Sequence, residues 1–174
     1  ETATLNLGAV TNTTGVTTIT DGSGLLTVTD NDSAVVAFNP VSVSQTEPSS
    51  PMAFTVSLSN PVQSGVTLSL NSGFGTATAA DFTPIATCTV SFAANSTASQ
   101  TVNVVINNAA LDEDDETFSL TLSGLSAIGN VTTGALVATG TILDDDLPPV
   151  ISITSPSQLE GNAGNTPMNF VVSL

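Results

Sequence analysis

Thr141-Ile-Leu-Asp-Asp-Asp-Leu-Pro-Pro149 carries an apolar strand into three consecutive carboxylates, and a double proline then stops it. Asp is depleted from pleated positions and adjacent aspartates repel one another, so the strand must end at Asp144. The chain has no Lys, Arg or His. No side chain can therefore neutralise the three acids, which either stand in water or are held by a metal cation. A near copy, Thr27-Val-Thr-Asp-Asn-Asp32, shows that the stretch also marks a period.

The period runs through the whole chain. Asp30-Asn-Asp32 maps to Asp144-Asp-Asp146 at an offset of 114 and Glu47 to Glu160 at 113. Val41-Ser-Val-Ser precedes the first glutamate and Ile151-Ser-Ile-Thr the second. Pro51-Met-Ala-Phe-Thr-Val-Ser-Leu58 recurs as Pro167-Met-Asn-Phe-Val-Val-Ser-Leu174 at 116, and Glu1-Thr-Ala-Thr-Leu-Asn-Leu7 as Glu116-Thr-Phe-Ser-Leu-Thr-Leu122 at 115. Such self-similarity marks a repeat architecture. The reading divides the chain into the tail of one repeat (1–32), one complete repeat (33–146) and the head of a third (147–174). Residue 1 then reads as the start of an excised or mature segment.

Within the complete repeat, period-2 alternation marks strands. Val36, Phe38, Val41 and Val43 belong to a first strand broken at Asn39-Pro40, a bulge or a switch between sheets. Phe54, Val56 and Leu58 form the second. Val66, Leu68 and Leu70 form the third, which the turn signal Asn71-Ser-Gly73 ends. Val90 and Phe92, then Val102, Val104 and Ile106, give the fourth and fifth. Phe118, Leu120 and Leu122 give the sixth, and Leu136 to Ile142 the seventh. Seven short antiparallel strands in about 110 residues predict an all-β, immunoglobulin-like sandwich. Its core should hold Phe38, Phe54, Val56, Leu68, Phe92, Val104, Phe118, Leu120 and Ile142. Cys88 is the sole cysteine and shares parity with Val90 and Phe92, which predicts an inward-facing small hydrophobe.

Composition excludes several roles. Fifteen acidic groups and no basic ones give a net charge of −15. Nucleic acid and anionic membrane surfaces both require Lys or Arg to displace counterions, so neither is an expected partner. The apolar fraction of 40% suffices for a packed core. No apolar run is long enough to span a bilayer. The usual general bases and activated nucleophiles are missing, since His, Lys and Tyr are absent. A carboxylate pair of the glycosidase type needs a walled cleft, and the chain has no Trp to build one.

Gly75-Thr-Ala-Thr-Ala-Ala-Asp-Phe82, Leu111-Asp-Glu-Asp-Asp-Glu-Thr-Phe118, Ile142-Leu-Asp-Asp-Asp146 and the turn Leu159-Glu-Gly-Asn-Ala-Gly164 together resemble the Calx-beta family. The resemblance covers essentially the whole chain, in order. It implies seven-stranded sandwiches of the kind found in sodium–calcium exchangers, in integrin β4 and in tandem arrays on bacterial surface proteins. In the exchangers, clustered carboxylates at one end of the sandwich bind calcium. By position, the resemblance nominates Glu47, Asp81, Glu113, Asp144, Asp145 and Asp146 as ligands, with Asn108 nearby. Calcium takes six to eight hard oxygens, which carboxylates from several loops can supply. Where binding members carry paired aspartates after the fifth strand, this chain has Asn107-Asn108-Ala109-Ala110. Two anionic ligands are thereby neutral or lost, which should weaken the site or lower its ion count. The alternative is that the acids are solvated loop charges that keep a β protein soluble.

These readings predict a non-catalytic structural module of an extracellular filament, stalk or adhesin, secreted or held at the cell surface. Neighbouring repeats or identical subunits would join end to end, stiffened by Ca2+ at the acidic clusters and by the Leu147-Pro-Pro149 linker. A calcium-sensing regulatory module, or one binding a protein or glycan ligand, is the other reading. Asn12-Thr-Thr14, Asn31-Asp-Ser33, Asn95-Ser-Thr97 and Asn130-Val-Thr132 fit the N-glycosylation pattern, and Ser/Thr-rich faces could carry O-linked sugars.

Overall fold

Alternating apolar and small polar residues, with few helix formers, build strands throughout, and the described residues hold no helix. The computed structural model describes every residue except 10, 12, 13, 16–18, 48, 128 and 129, so the Asn12 sequon falls outside the described residues. The chain divides into two units, Glu1–Ser33 and Ala34–Leu174.

The first unit is a two-stranded antiparallel ribbon of β1 (Thr2–Asn6) and β2 (Ser23–Thr27). In the second unit, β3 (Ala34–Phe38), β5 (Met52–Leu58), β8 (Gln100–Val104) and β10 (Val131–Thr133) form one sheet, in the order β10-β3-β5-β8. A five-stranded sheet, β4-β11-β9-β6-β7, adds β4 (Ser42–Thr46), β6 (Val66–Phe74), β7 (Cys88–Phe92), β9 (Glu116–Ser126) and β11 (Val137–Leu143). A two-stranded ribbon of β12 (Ser152–Ile153) and β13 (Val172–Ser173) follows.

The two larger sheets bury one hydrophobic core, and all nine residues expected in it are there, none more than 2% exposed. A row of rings crosses the core. Phe38 meets Phe54 edge-on at 6.5 Å, and Phe54 meets Phe118 of the opposite sheet at 5.9 Å. Phe118 stacks on Phe82 at 4.5 Å with 19° between the planes, and Phe82 touches Phe74 at 5.6 Å. Cys88 is half-buried and packs against this core.

Four sequence expectations need correction. Val41 is not a strand residue but lies half exposed in the link between β3 and β4, and of the two alternatives at Asn39-Pro40 the switch of sheet is the one seen, with β3 in the first sheet and β4 in the second. The sandwich is not antiparallel throughout, because β10 pairs with β3 and β11 with β4 in parallel. Seven alternating strands leave the first and the last running the same way, so where they meet they pair parallel. Both change sheet, which divides seven strands into the nine segments β3 to β11. Asn71-Ser-Gly73 is not a turn, since β6 continues through it opposite Thr121, Leu120 and Ser119 of β9. A Cβ at Gly73 would meet the Ser119 hydroxyl at 2.8 Å, so this glycine serves close strand approach.

The fourth correction concerns the repeat. Ile151-Ser-Ile-Thr154 pairs as β3 does, not as the stretch after Asn39-Pro40. Ser152 faces Ser173 and Ile153 faces Val172, just as Ala37 faces Ser57 and Phe38 faces Val56. The Thr154 N–H donates to Val171 O at 3.0 Å, matching Asn39 to Thr55 at 3.0 Å. At the other end, Thr2 faces Thr27 and Ala3 faces Leu26, the counterparts of Thr117 facing Thr141 and Phe118 facing Gly140. Both flanking ribbons thus reproduce pairings of the complete sandwich, residue for residue. They expose the side chains that it buries. Leu5, Leu7 and Val28 are 56 to 76% exposed, while their counterparts Leu120, Leu122 and Ile142 lie in the core.

Phe118 sits where the ring row crosses between sheets, so Phe118→Ala is expected to lower unfolding free energy by about 3–5 kcal/mol. Phe74→Ala, at the exposed end of the row, should cost clearly less. Denaturant titration of the two variants checks the order.

Candidate metal centre

Strand polarity gathers the acids at one end of the sandwich. Leu143 pairs with Thr46 and Ile142 with Glu116, so the end of β4, the end of β11 and the start of β9 are neighbours. The end of β8 comes to the same pole and carries another segment on its edge. Phe82 bridges Ile106, the Thr83 N–H donates to Val105 O, and the Asn107 N–H to Asp81 O, both at 2.9 Å.

Asp81 is buried, and its loop is built around it. Its Oδ2 accepts the Thr78 N–H at 2.6 Å and the Thr78 hydroxyl at 2.8 Å. The loop in turn is fastened to β9, with the Ala77 N–H on Thr117 O at 2.9 Å and the Thr117 N–H on Thr76 Oγ1 at 2.8 Å. Gly75 permits this approach, because a Cβ there would collide with the Thr117 carbonyl. Asp81 therefore lies beside Glu116, the residue before Thr117. Ligand oxygens of Asp81, Glu113 and Glu116 all lie within 4.8 Å of one another.

The other nominated residues surround this trio to different degrees. Glu47 is buried just past β4, and its Oε2 accepts the Ala109 N–H at 2.7 Å. Asp144 is half-buried; its N–H donates to Asp115 Oδ1 at 3.2 Å, and its own Oδ1 accepts the Asp146 N–H at 3.4 Å. The same turn joins Asp30 and Asp32 in the first unit, at 2.9 Å. Asp145 is exposed. Asn108 is exposed too, and its amide donates to Ala109 O at 2.8 Å. Its neighbour Asn107 makes the contacts to the Asp81 loop. Glu116 and Asp115 were not singled out from sequence. Glu116 carried a readable signal, since it shares parity with Phe118, Leu120 and Leu122 and so points a carboxyl toward the core side of β9. Asp115 carried none within its acidic run.

Electrostatics confirm that these groups feel one another. Glu116 is pushed up to about 7 by burial, by its hydrogen bond to Asp81, and by the charges of Asp81, Glu113 and Glu47. Burial also opposes ionisation of Asp81, but the Thr78 N–H and hydroxyl and the Glu116 carboxyl outweigh it and leave Asp81 below its usual value. Glu116 thus keeps its proton and donates it in a hydrogen bond to the ionised Asp81. Glu113 is raised by desolvation and by the charges of Asp81, Glu47, Asp144 and Asp146.

The donor set fits a hard dication. Every charged group is a carboxylate, and no Lys, Arg or His exists to balance them. Asp146 Oδ2 is buried without a hydrogen-bond partner. Such an orphaned acceptor is costly, and a cation would relieve it.

The sequence pattern of the Calx-beta domain matches residues 29–146. This chain belongs to the Calx-beta family. Among solved structures, the apo-form Calx CBD1 domain is 23% identical with a TM-score of 0.60, over 66% of this Calx-beta chain and all of that one. CBD12 from CALX1.2 is also 23% identical with a TM-score of 0.60, over 70% of this chain and 49% of that one. The calcium binding domain CBD12 of CALX1.1 follows at 22% identity and 0.58, over 69% and 50%. At these identities the likeness is one of fold. No curated protein sequence matches the chain.

The proton on Glu116 gives a pH signature. The cation-free fold binds it more tightly than an unfolded chain, whose Glu116 titrates near 4.5. Stability in chelator should therefore fall as pH rises from 4.5 through about 7, while loss of the Asp81 charge destabilises below the ordinary aspartate value of 3.8. Thermal melts in chelator should drop in midpoint between pH 5 and pH 8, and Glu116→Gln should flatten that slope.

Proposed function

We propose that this Calx-beta chain is a calcium-stiffened structural module of an extracellular filament, stalk or adhesin. The observation that carries the calcium reading is a carboxylate trio with no side-chain counter-charge, together with the partnerless buried Oδ2 of Asp146, whose charge Glu113 feels. Asp81, Glu113 and Glu116 would hold the ion, with Glu47, Asp144 and Asp146 close enough to contribute charge. Bound there, the cation supplies positive charge and coordination that tie together the loop before β7, the loop before β9 and the end of β11. The protein's own part is to bring those loops to one pole and to exclude competing cationic side chains. A calcium binding domain among the related folds supports the choice of ion.

Two observations support the structural role over a regulatory one. The flanking ribbons copy pairings of the complete sandwich in register, as successive repeats of one array would. Leu147-Pro-Pro149 follows the acidic cluster directly, and consecutive prolines favour extended, stiff geometry. A cation at that pole clamps the chain where one repeat passes to the next. An array without Lys or Arg also offers trypsin-like proteases nothing to cut, which suits an exposed location.

Calcium should raise stability by mass action, by about 2.7 kcal/mol at a hundredfold excess over its dissociation constant. Melting in calcium and then in chelator measures this, and Asp81→Asn should shrink the difference. Identical midpoints for the unmodified chain would make the acids solvent-facing charge. For the array, the native polypeptide under denaturing conditions should run at several times 17.4 kDa. A native species near that mass would replace the continuous array with strand exchange between subunits.

A further inference from the structure

Residues 107–109 join both sides of the acidic pole without any ion. The Asn107 side-chain amide donates to Ala80 O at 2.7 Å, and its backbone N–H donates to Asp81 O at 2.9 Å. Two residues on, the Ala109 N–H donates to Glu47 Oε2 at 2.7 Å. One short segment therefore fastens the Asp81 loop on one side and the buried Glu47 carboxylate on the other. It brings no charge of its own, since Asn107, Asn108 and Ala109 are all neutral.

From this geometry we propose that Asn107 is a positioning residue, a neutral latch that keeps the Asp81 loop and Glu47 in place when no cation is bound. The amide suits the task because it offers a donor to a backbone carbonyl. An aspartate of the same shape would set a carboxylate oxygen against Ala80 O and be repelled. Calcium then enters a pole that is already ordered, and binding stiffens the joint without switching it between folded and unfolded forms. The identity of the ion rests on the reading above; the latch does not.

Amide hydrogen exchange by NMR on the full chain in chelator, followed by calcium titration by calorimetry, tests this. Asn107→Ala removes the latch, and Asn107→Asp removes only the donor. In chelator, both variants should exchange the Asn107 and Ala109 amides about tenfold faster than the unmodified chain, as expected for loss of one hydrogen bond of ordinary strength. The Leu120 amide in the far ladder should not change, which separates the latch from general loosening. Saturating calcium should restore protection in both variants, and Asn107→Ala should bind calcium about fivefold more weakly. Unchanged exchange at Asn107 and Ala109 in both variants would overturn the proposal. Faster exchange in chelator with no calcium heat from any form would uphold the latch and overturn the calcium reading.

Discussion

The stack of Phe82 on Phe118 couples the core of this protein to its acidic pole. The rings lie 4.5 Å apart and nearly parallel, and Phe118 also meets Phe54 across the sandwich. Asp81 precedes Phe82, and Glu116 stands two residues before Phe118 on the same face of β9. Packing that secures the two rings therefore also sets the approach of the two carboxyls. Burial of large aromatic surface outweighs the mutual repulsion of two acids near a surface, so the acids must accept the spacing that the rings impose. Burial first, and then the hydrogen bond and charge of Asp81, raise Glu116 to about 7, while the Thr78 donors keep Asp81 below its usual value.

The same coupling explains why the pole is ordered despite its charge. Backbone and hydroxyl donors from Thr78 hold Asp81, and the Ala109 N–H holds Glu47. Such charge-assisted hydrogen bonds are stronger than neutral ones and compensate for burial. What they leave open is Asp146, whose buried Oδ2 lacks a donor. In a chain without Lys, Arg or His, no cationic side chain can close that gap. Composition and site thus bear on each other: the missing cationic side chains leave the carboxylates of the pole without a side-chain counter-charge.

Repetition enters through strand register. Because side chains alternate with period 2, a slip of one residue would turn every core residue outward. Matching register in β1–β2 and β9–β11 puts Leu5, Leu7 and Val28 on the strand faces that Leu120, Leu122 and Ile142 occupy in the sandwich. Ile151, Ile153, Phe170 and Val172 stand in the same relation to Val36, Phe38, Phe54 and Val56.

The sequence by itself determined the all-β class and the core, since alternation on a pleated strand decides which side chains face inward without reference to distant residues. It also located most of the acids at strand ends, where the end of an apolar run and a cluster of Asp coincide. Three things were decided only by tertiary structure. Gly73 reads locally as a turn residue, yet the close approach of β9 keeps it in a strand. The first and last strands read as ordinary members of an antiparallel set, yet their meeting at a shared edge makes them parallel. Glu116 reads as a strand residue and Asn107 as a lost ligand. Only the packing of Phe82 on Phe118 brings Asp81 against the one, and only the pairing of 81–83 with 105–107 brings Ala80 to the other. Those contacts join residues far apart in the chain, and local pattern holds no information about which distant carbonyl or carboxyl a side chain will meet.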